Sequence, residues 1–210
     1  MLEDKKIEEA KKNAVKCINA GIIAKTRDSK YADFFIKNAK DSLDSAKVLF
    51  EISVNEKTKN TLGMPNFNGF LWVINSSYYS MFYMTRALLE SIGVKIKSDE
   101  SIHFLVFNAL IYYFYSTGKL EKHFIEDFGE AQEESSEILG KEKVNSSGIS
   151  KFPSQAQEKA REMISDYSSE KEKRAKFTYE IGEIAMKNKA ETSLNRAKKF
   201  NEEVRKILRR

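Results

Sequence analysis

The side chains able to do chemistry are few, and their types narrow the possibilities. Two histidines, His103 and His123, and one cysteine, Cys17, occur in 210 residues. That set is too small for a zinc site of the usual kind, which takes four His or Cys ligands. Glu100-x-x-His103 has the spacing of half a di-iron bundle site. Such a site needs the motif twice plus two more helical carboxylates, and the second motif is missing. His103, near a helix start, reads as a packed or capping side chain, and His123 as a surface residue among acids. Neither G-x-x-x-x-G-K-[ST] nor G-x-G-x-x-G occurs, so no phosphate-cradling loop is visible. No metal and no cofactor is expected. What remains is Arg174 in the run EKEKRAKFTYE, with Thr178 and Tyr179 close behind it, and Arg86 among aromatics. A guanidinium can clamp a phosphate with paired N–H donors. For Arg174 a solvent-exposed i, i+4 pair with Glu170 explains the residue as well. For Arg86 the plain alternative is a stem lying along apolar surface with its head in water.

The element that must position these groups is residues 67–92, FNGFLWVINSSYYSMFYMTRALLESI. Phe70, Ile74, Ser77, Tyr78, Met81, Phe82, Thr85, Leu88, Leu89 and Ile92 recur at helical period and define one face. The other side reads Trp72, Ser76, Tyr79, Tyr83, Arg86, Glu90. A helix apolar nearly all round is covered on both sides. The expectation is a central helix whose aromatic stripe meets more of its own fold or a second copy of the chain. Trp72, Tyr79 and Tyr83 have faces on which bases could stack; packing against a helix is the simpler use.

Around it, the pattern predicts helices over 2–23, 30–54, 98–116, 121–139, 153–186 and 190–208. Asp28-Ser29 offers an N-cap for the second. The stretch 55–66, with Gly63 and Pro65, reads as a loop, and so does 140–152. Gly93 is suited to end the central helix. No strand is expected, because period-two alternation is absent over useful lengths. The whole reads as an all-α up-and-down bundle, with an N-terminal helical extension at 1–27 and the bundle proper at 28–210.

Composition agrees: 41% hydrophobic, 32% charged and only two prolines suit a helix-rich chain with a sizeable core. No apolar run is long enough to span a bilayer, and the start MLEDKKIEEAKK is too charged for a signal peptide. A single cysteine suits a reducing compartment, so a cytoplasmic protein is expected. The net charge of +5 permits nucleic-acid contact without establishing it. Residues 187–210 carry nine Lys/Arg against three Glu, and 121–142 carry eight Asp/Glu against two Lys. These segments could attract each other or a phosphate backbone, but two solvated helix faces is the reading adopted.

Several of these stretches resemble one family. AKDSLDSAKVLF at 39–50, INSSYYSMFYMTRALLESIG at 74–93, His103 in the following helix, Arg174-Ala-Lys-Phe-Thr-Tyr179 and the final amphipathic helix resemble the successive helices of the HEPN family (higher eukaryotes and prokaryotes nucleotide-binding), in its small prokaryotic toxin–antitoxin members. The resemblance covers 31–54, 68–116 and 170–210. It implies a HEPN-type bundle, a homodimer through the central aromatic helix and the Arg174 helix, RNA or nucleotide as ligand, and a separate nucleotidyltransferase as partner. Residues 126–160, an acidic helix plus loop, are then an insertion. The family's nucleases carry Arg-x4–6-His, in which Arg stabilises the phosphate and His moves a proton. Here Tyr179 stands five residues after Arg174, Thr178 replaces the usual Asp, and no His follows His123. A tyrosine with an ordinary pKa of about 10 exchanges protons poorly at neutral pH. Tyr179 can still donate a hydrogen bond.

The expected function is therefore that of a HEPN-type nucleotide- or RNA-associated binding protein without nuclease activity. Its candidate ligand-binding residues are Arg174, Thr178, Tyr179, Arg86 and His103. The alternatives are a divergent metal-independent ribonuclease toxin, which would need His103 close to Arg174, and a dimeric adaptor whose groove holds a peptide or helix.

Overall fold

A computed structural model describes residues 4–26, 28–98, 101–138 and 174–209, with the side chains of 174–185 outside the description. In chain order the elements are α1 (Asp4–Asn19), β1 (Ile23–Lys25), α2 (Ala32–Val54), α3 (Glu56–Thr61), α4 (Phe70–Ser91), β2 (Val94–Ile96), α5 (Ile102–Leu110), a π-helical turn (Ile111–Tyr115), α6 (Lys122–Ile138) and α7 (Arg174–Leu208). The molecule is an all-α bundle carrying one two-stranded sheet.

α4 is the central helix, packed by α2, α7, α6 and α5. Val73, Ile74, Tyr78, Met81, Met84, Leu88 and Leu89 are buried along it, as the periodicity requires. α2 runs antiparallel beside it. Its pairing is fixed by Ser53 Oγ, which accepts from Gly69 N–H at 2.8 Å, by Ser80 Oγ, which donates to the Ala39 carbonyl at 2.6 Å, and by Glu90 Oε1, which accepts from Tyr31 N–H at 3.2 Å. α7 covers another side of α4: Asn201 Nδ2 donates to Ser80 Oγ at 2.7 Å, and Leu194, Ala197, Phe200 and Val204 are buried. α6 covers a third, through Ser135 Oγ to Asn75 Oδ1 at 2.6 Å and Phe128 against Tyr78.

The structure departs from the periodicity at several places. The first helix stops at Asn19, because Gly21 at φ +71° turns the chain into β1. β1 pairs antiparallel with β2 in the register Ile23↔Ile96. Strands of three residues are too short to leave an alternating signature, so the sequence showed none. Gly93, at φ +75°, sits under the Thr26 carbonyl with no room for a Cβ, which lets the sheet close directly on the end of α4. α2 begins at Ala32 without a side-chain cap; Asp28 Oδ1 instead accepts from Lys30 N–H before the helix. The stretch expected as loop contains α3, capped by Asn55 Oδ1 from Thr58 N–H at 3.0 Å. The helix expected to run to residue 116 changes to π geometry at Ile111. The two C-terminal helices are one: α7 is unbroken from Arg174 to Leu208. The loop at 140–152 and most of the helix expected at 153–186 lie outside the described residues.

The N-terminal segment shares the common core, since Ile7, Ala10 and Ile23 belong to the same buried cluster as α4. The acidic and basic segments, read above as solvated faces, dock within the chain. Arg196 of α7, with a side chain only 9% exposed, lies 3.5 Å from Asp127, 2.8 Å from Glu130 and 3.0 Å from Glu134 of α6. Burying α7 against α6 brings these charges together, and the ion pairs offset the desolvation of the guanidinium. Among the described residues no helix is long and apolar enough to cross a membrane.

Candidate functional site on the α2–α4 face

The side of α4 away from α7 carries the aromatic stripe. Trp72 is 61% exposed, and Ser76, Tyr79, Tyr83 and Arg86 are half-buried. Glu90, the last residue of the stripe, departs from it: it is buried and paired with Lys95 at 3.3 Å as well as Tyr31 N–H. Its carboxylate closes the α2–α4–β2 corner and does not extend the exposed face.

α2 supplies the other half of this face. Phe34, Asn38, Asp41, Ser45 and Val48 follow each other by four and three residues, the same spacing as Trp72, Ser76, Tyr79, Tyr83 and Arg86. Phe34 and Val48 are each 57% exposed. Because α2 and α4 run antiparallel, Asp41 stands level with Tyr79, the middles of the two stripes. Between them lies an open groove of about 360 Å³ lined by Asn38, Asp41, Ser42, Ser45, Ser76, Tyr79 and Tyr83. Serines at three of the seven positions leave the space that larger side chains would fill. Lys37, one turn from Asp41, pairs with it at the rim.

The rings continue to both sides of the groove. Tyr79 lies 6.1 Å from Tyr83, which stacks on Phe35 at 6.4 Å, and the Arg86 guanidinium lies over the Phe35 ring at 4.6 Å. On the other side Tyr79 meets His103 edge-on at 5.9 Å. His103 also packs on Phe82 at 4.6 Å, and its Nδ1 is 2.6 Å from the Tyr78 hydroxyl. Burial pushes the Tyr78 hydroxyl well above the usual tyrosine pKa, so it stays protonated. With that proton donated, Nδ1 is the acceptor and the imidazole is held in one tautomer.

The structure thus brings Arg86 and His103 to one face, linked by a row of rings. Arg174, Thr178 and Tyr179 are on the first turns of α7, and their side chains lie outside the described residues. An α-helix turns about 100° per residue, so Arg174 and Thr178 occupy neighbouring positions of α7 one turn apart, while Tyr179 falls well round the helix from Arg174. The described part of α7 packs on the opposite side of α4 from the aromatic stripe. His123 is exposed, 3.3 Å from Glu121. No group of three or more His, Cys, Asp or Glu placed to hold a metal occurs among the described residues.

Sequence reasoning passed over Asn38, Asp41, Ser42 and Ser45. The signal was present: a heptad-like stripe on α2 with large apolar residues at its two ends. Its small polar residues carry no chemical signature along the chain, and only the packing of α2 beside α4 lines them up against Tyr79 and Tyr83. No family model, no curated protein and no solved structure matches the chain.

Proposed function

We propose that the protein is a HEPN-type nucleotide- or RNA-associated binding protein that acts by holding its ligand and not by cutting it. The observation that carries this reading is the α2–α4 groove, whose volume is that of a small-ligand site. Tyr79 and Tyr83 offer ring faces for a base. Asn38, Ser42, Ser45 and Ser76 offer donors and acceptors for base edges and sugar hydroxyls. Asp41, exposed at the middle of the groove and paired with Lys37, disfavours a phosphate there, so the phosphate would lie toward Arg86 at the end of the face. The resemblance of 39–50 and 74–93 to HEPN helices, which are the helices that form this groove, supports the same reading. A separate nucleotidyltransferase as protein partner belongs to it too.

Trp72 is the sole tryptophan and lies on the same stripe, so its fluorescence reports occupancy. Titration with AMP and with a short oligouridylate should quench it saturably. Tyr79→Ala should weaken binding by about 10-fold, as loss of one stacked base costs roughly 1–3 kcal/mol. Affinity for the oligonucleotide should fall as salt rises, with a smaller slope in Arg86→Ala. Unchanged affinity in Tyr79→Ala would remove the groove from the function. Metal-free RNA cleavage that disappears in Arg174→Ala would instead return the ribonuclease reading.

A further inference from the structure

The two walls of the α2–α4 groove differ in kind. α4 contributes the rings of Tyr79 and Tyr83 with Ser76, whereas α2 contributes Asn38, Asp41, Ser42 and Ser45, all of them polar. A planar base stacked on the α4 rings therefore turns an edge toward hydrogen-bonding groups on α2. Most of those groups are uncommitted. Ser45 Oγ donates to the Asp41 carbonyl at 2.8 Å, and Asp41 Oδ2 accepts from Lys37. Among the described residues, Asp41 Oδ1, the Asn38 amide and the Ser42 and Ser76 hydroxyls have no hydrogen-bond partner. Asn38 and Asp41 are three residues apart, hence neighbours on one face of α2, with about 5–6 Å between their Cβ atoms.

We propose that the groove selects guanine, with the Asp41 carboxylate as the group that recognises it. Among the four bases only guanine presents two adjacent donors on one edge, N1–H and the N2 amino group. A carboxylate accepts both as a bidentate pair, as it does from an arginine fork. The O6 acceptor follows N1 on the same edge, and there the Asn38 amide N–H can donate. Adenine and cytosine place a bare ring nitrogen beside their amino group, and its lone pair would face the carboxylate. Uracil has one N–H between two carbonyl oxygens and meets the same repulsion. The ion pair with Lys37 does not block this contact, because both side chains are exposed and each carboxylate oxygen has two acceptor sites. Lys37 also offsets the repulsion between Asp41 and the nucleotide's own phosphate.

The register of the two helices suits the rest of a nucleotide. Asp41 stands level with Tyr79, and Arg86 follows Tyr79 by seven residues, about 10 Å along α4. A ribose 5′-phosphate extends about that far from its base, so a guanine held at Asp41 leaves its phosphate beside Arg86. In the other direction the α4 stripe continues with Ser76 and Trp72 and carries no cation. Guanine selection rests on the nucleotide-binding reading and narrows it to one base, in a free nucleotide or within single-stranded RNA.

The test is calorimetric titration of the full chain with GMP, AMP, CMP and UMP. GMP should bind at least about 10-fold more tightly than the other three, the factor expected from one hydrogen bond to a charged group. IMP, which lacks only the N2 amino group, should bind about 10-fold more weakly than GMP for the same reason. Asp41→Asn, at an exposed position, should lose the preference for GMP with unchanged circular dichroism. It should gain one for XMP, whose C2 oxygen accepts from the new amide N–H, and a misfolded chain would show no such gain. Pentauridylate with its central uridine replaced by guanosine distinguishes the two sources. Tighter binding of that oligonucleotide than of GMP supports guanine within RNA, and the reverse order supports guanine in a free nucleotide. Equal affinity for the four mononucleotides overturns guanine selection and leaves the nucleotide-binding reading standing. A preference for GMP that survives Asp41→Asn overturns the assignment to Asp41. Binding of none of these ligands overturns both readings.

Discussion

Tyr78 and His103 show how a residue with catalytic potential is spent on packing. The Tyr78 hydroxyl is enclosed by α4, α5 and α6, and its hydrogen bond to His103 Nδ1 is its described outlet. Tyr78→Phe removes that bond, and the expected loss of stability is about 1 kcal/mol at neutral pH, measured by urea unfolding. The folded state holds the Tyr78 proton above the ordinary tyrosine pKa, while the unfolded chain releases it near pH 10. Above about pH 10 the unfolded chain therefore binds fewer protons, and stability falls with a slope of up to about 1.4 kcal/mol per pH unit. Tyr78→Phe lacks that slope. The gap between wild type and variant should narrow as pH rises past 10; a gap that stays constant would mean that the hydroxyl titrates freely.

At the scale of elements, the junction of α6 with α7 depends on Arg196. Its guanidinium faces Asp127, Glu130 and Glu134, and Ser193 donates to Glu134 at 3.0 Å. Removing the cation leaves three carboxylates clustered without it. Because Glu130 is half exposed and screened by water, the cost is below that of a fully buried pair. Arg196→Ala should lose about 2 kcal/mol in urea unfolding, and Arg196→Lys should recover only part, since an ammonium cannot reach three carboxylates with planar donors. An unchanged midpoint in Arg196→Ala would show that apolar packing at Leu194, Ala197 and Phe200 holds α7 unaided. The same geometry bears on ligand binding. Arg196 and Lys189, which pairs with Glu137 at 3.9 Å, are engaged by α6 and so contribute less to any phosphate track along α7.

For the molecule as a whole, the question is whether the N-terminal segment is an appendage. Ile7, Ala10, Ala14 and Ile23 are buried, and β1 pairs with β2 beyond the end of α4. Burying two isoleucines contributes roughly 3–6 kcal/mol by area, a large share of a typical total of about 5–15 kcal/mol. A chain lacking residues 1–27 should therefore be unfolded or nearly so at room temperature, by circular dichroism and urea titration. A truncated chain with an unchanged unfolding midpoint would show that 28–210 stands alone.

The sequence by itself determined the bundle, its centre and its buried face. Periodicity at 3.6 residues is local, and a 22-residue helix offers enough repeats for Phe70, Ile74, Met81 and Leu88 to be read as core without knowing their neighbours. It also placed His103 among packed side chains. What depends on segments far apart in the chain was not legible. β1 and β2 are three residues each, and their backbone ladder forms only when the two segments, some seventy residues apart in the chain, are brought together. The continuity of α7 was hidden by the polar run 187–193, whose helicity is maintained by packing and by α6. Arg196 could be read as solvated until α6 was laid against it. The α2–α4 groove exists because Asp41 and Tyr79 come level, a matter of register between two helices. Side-chain type announces itself along the chain, whereas which sides remain uncovered is settled only when every helix has found its neighbours.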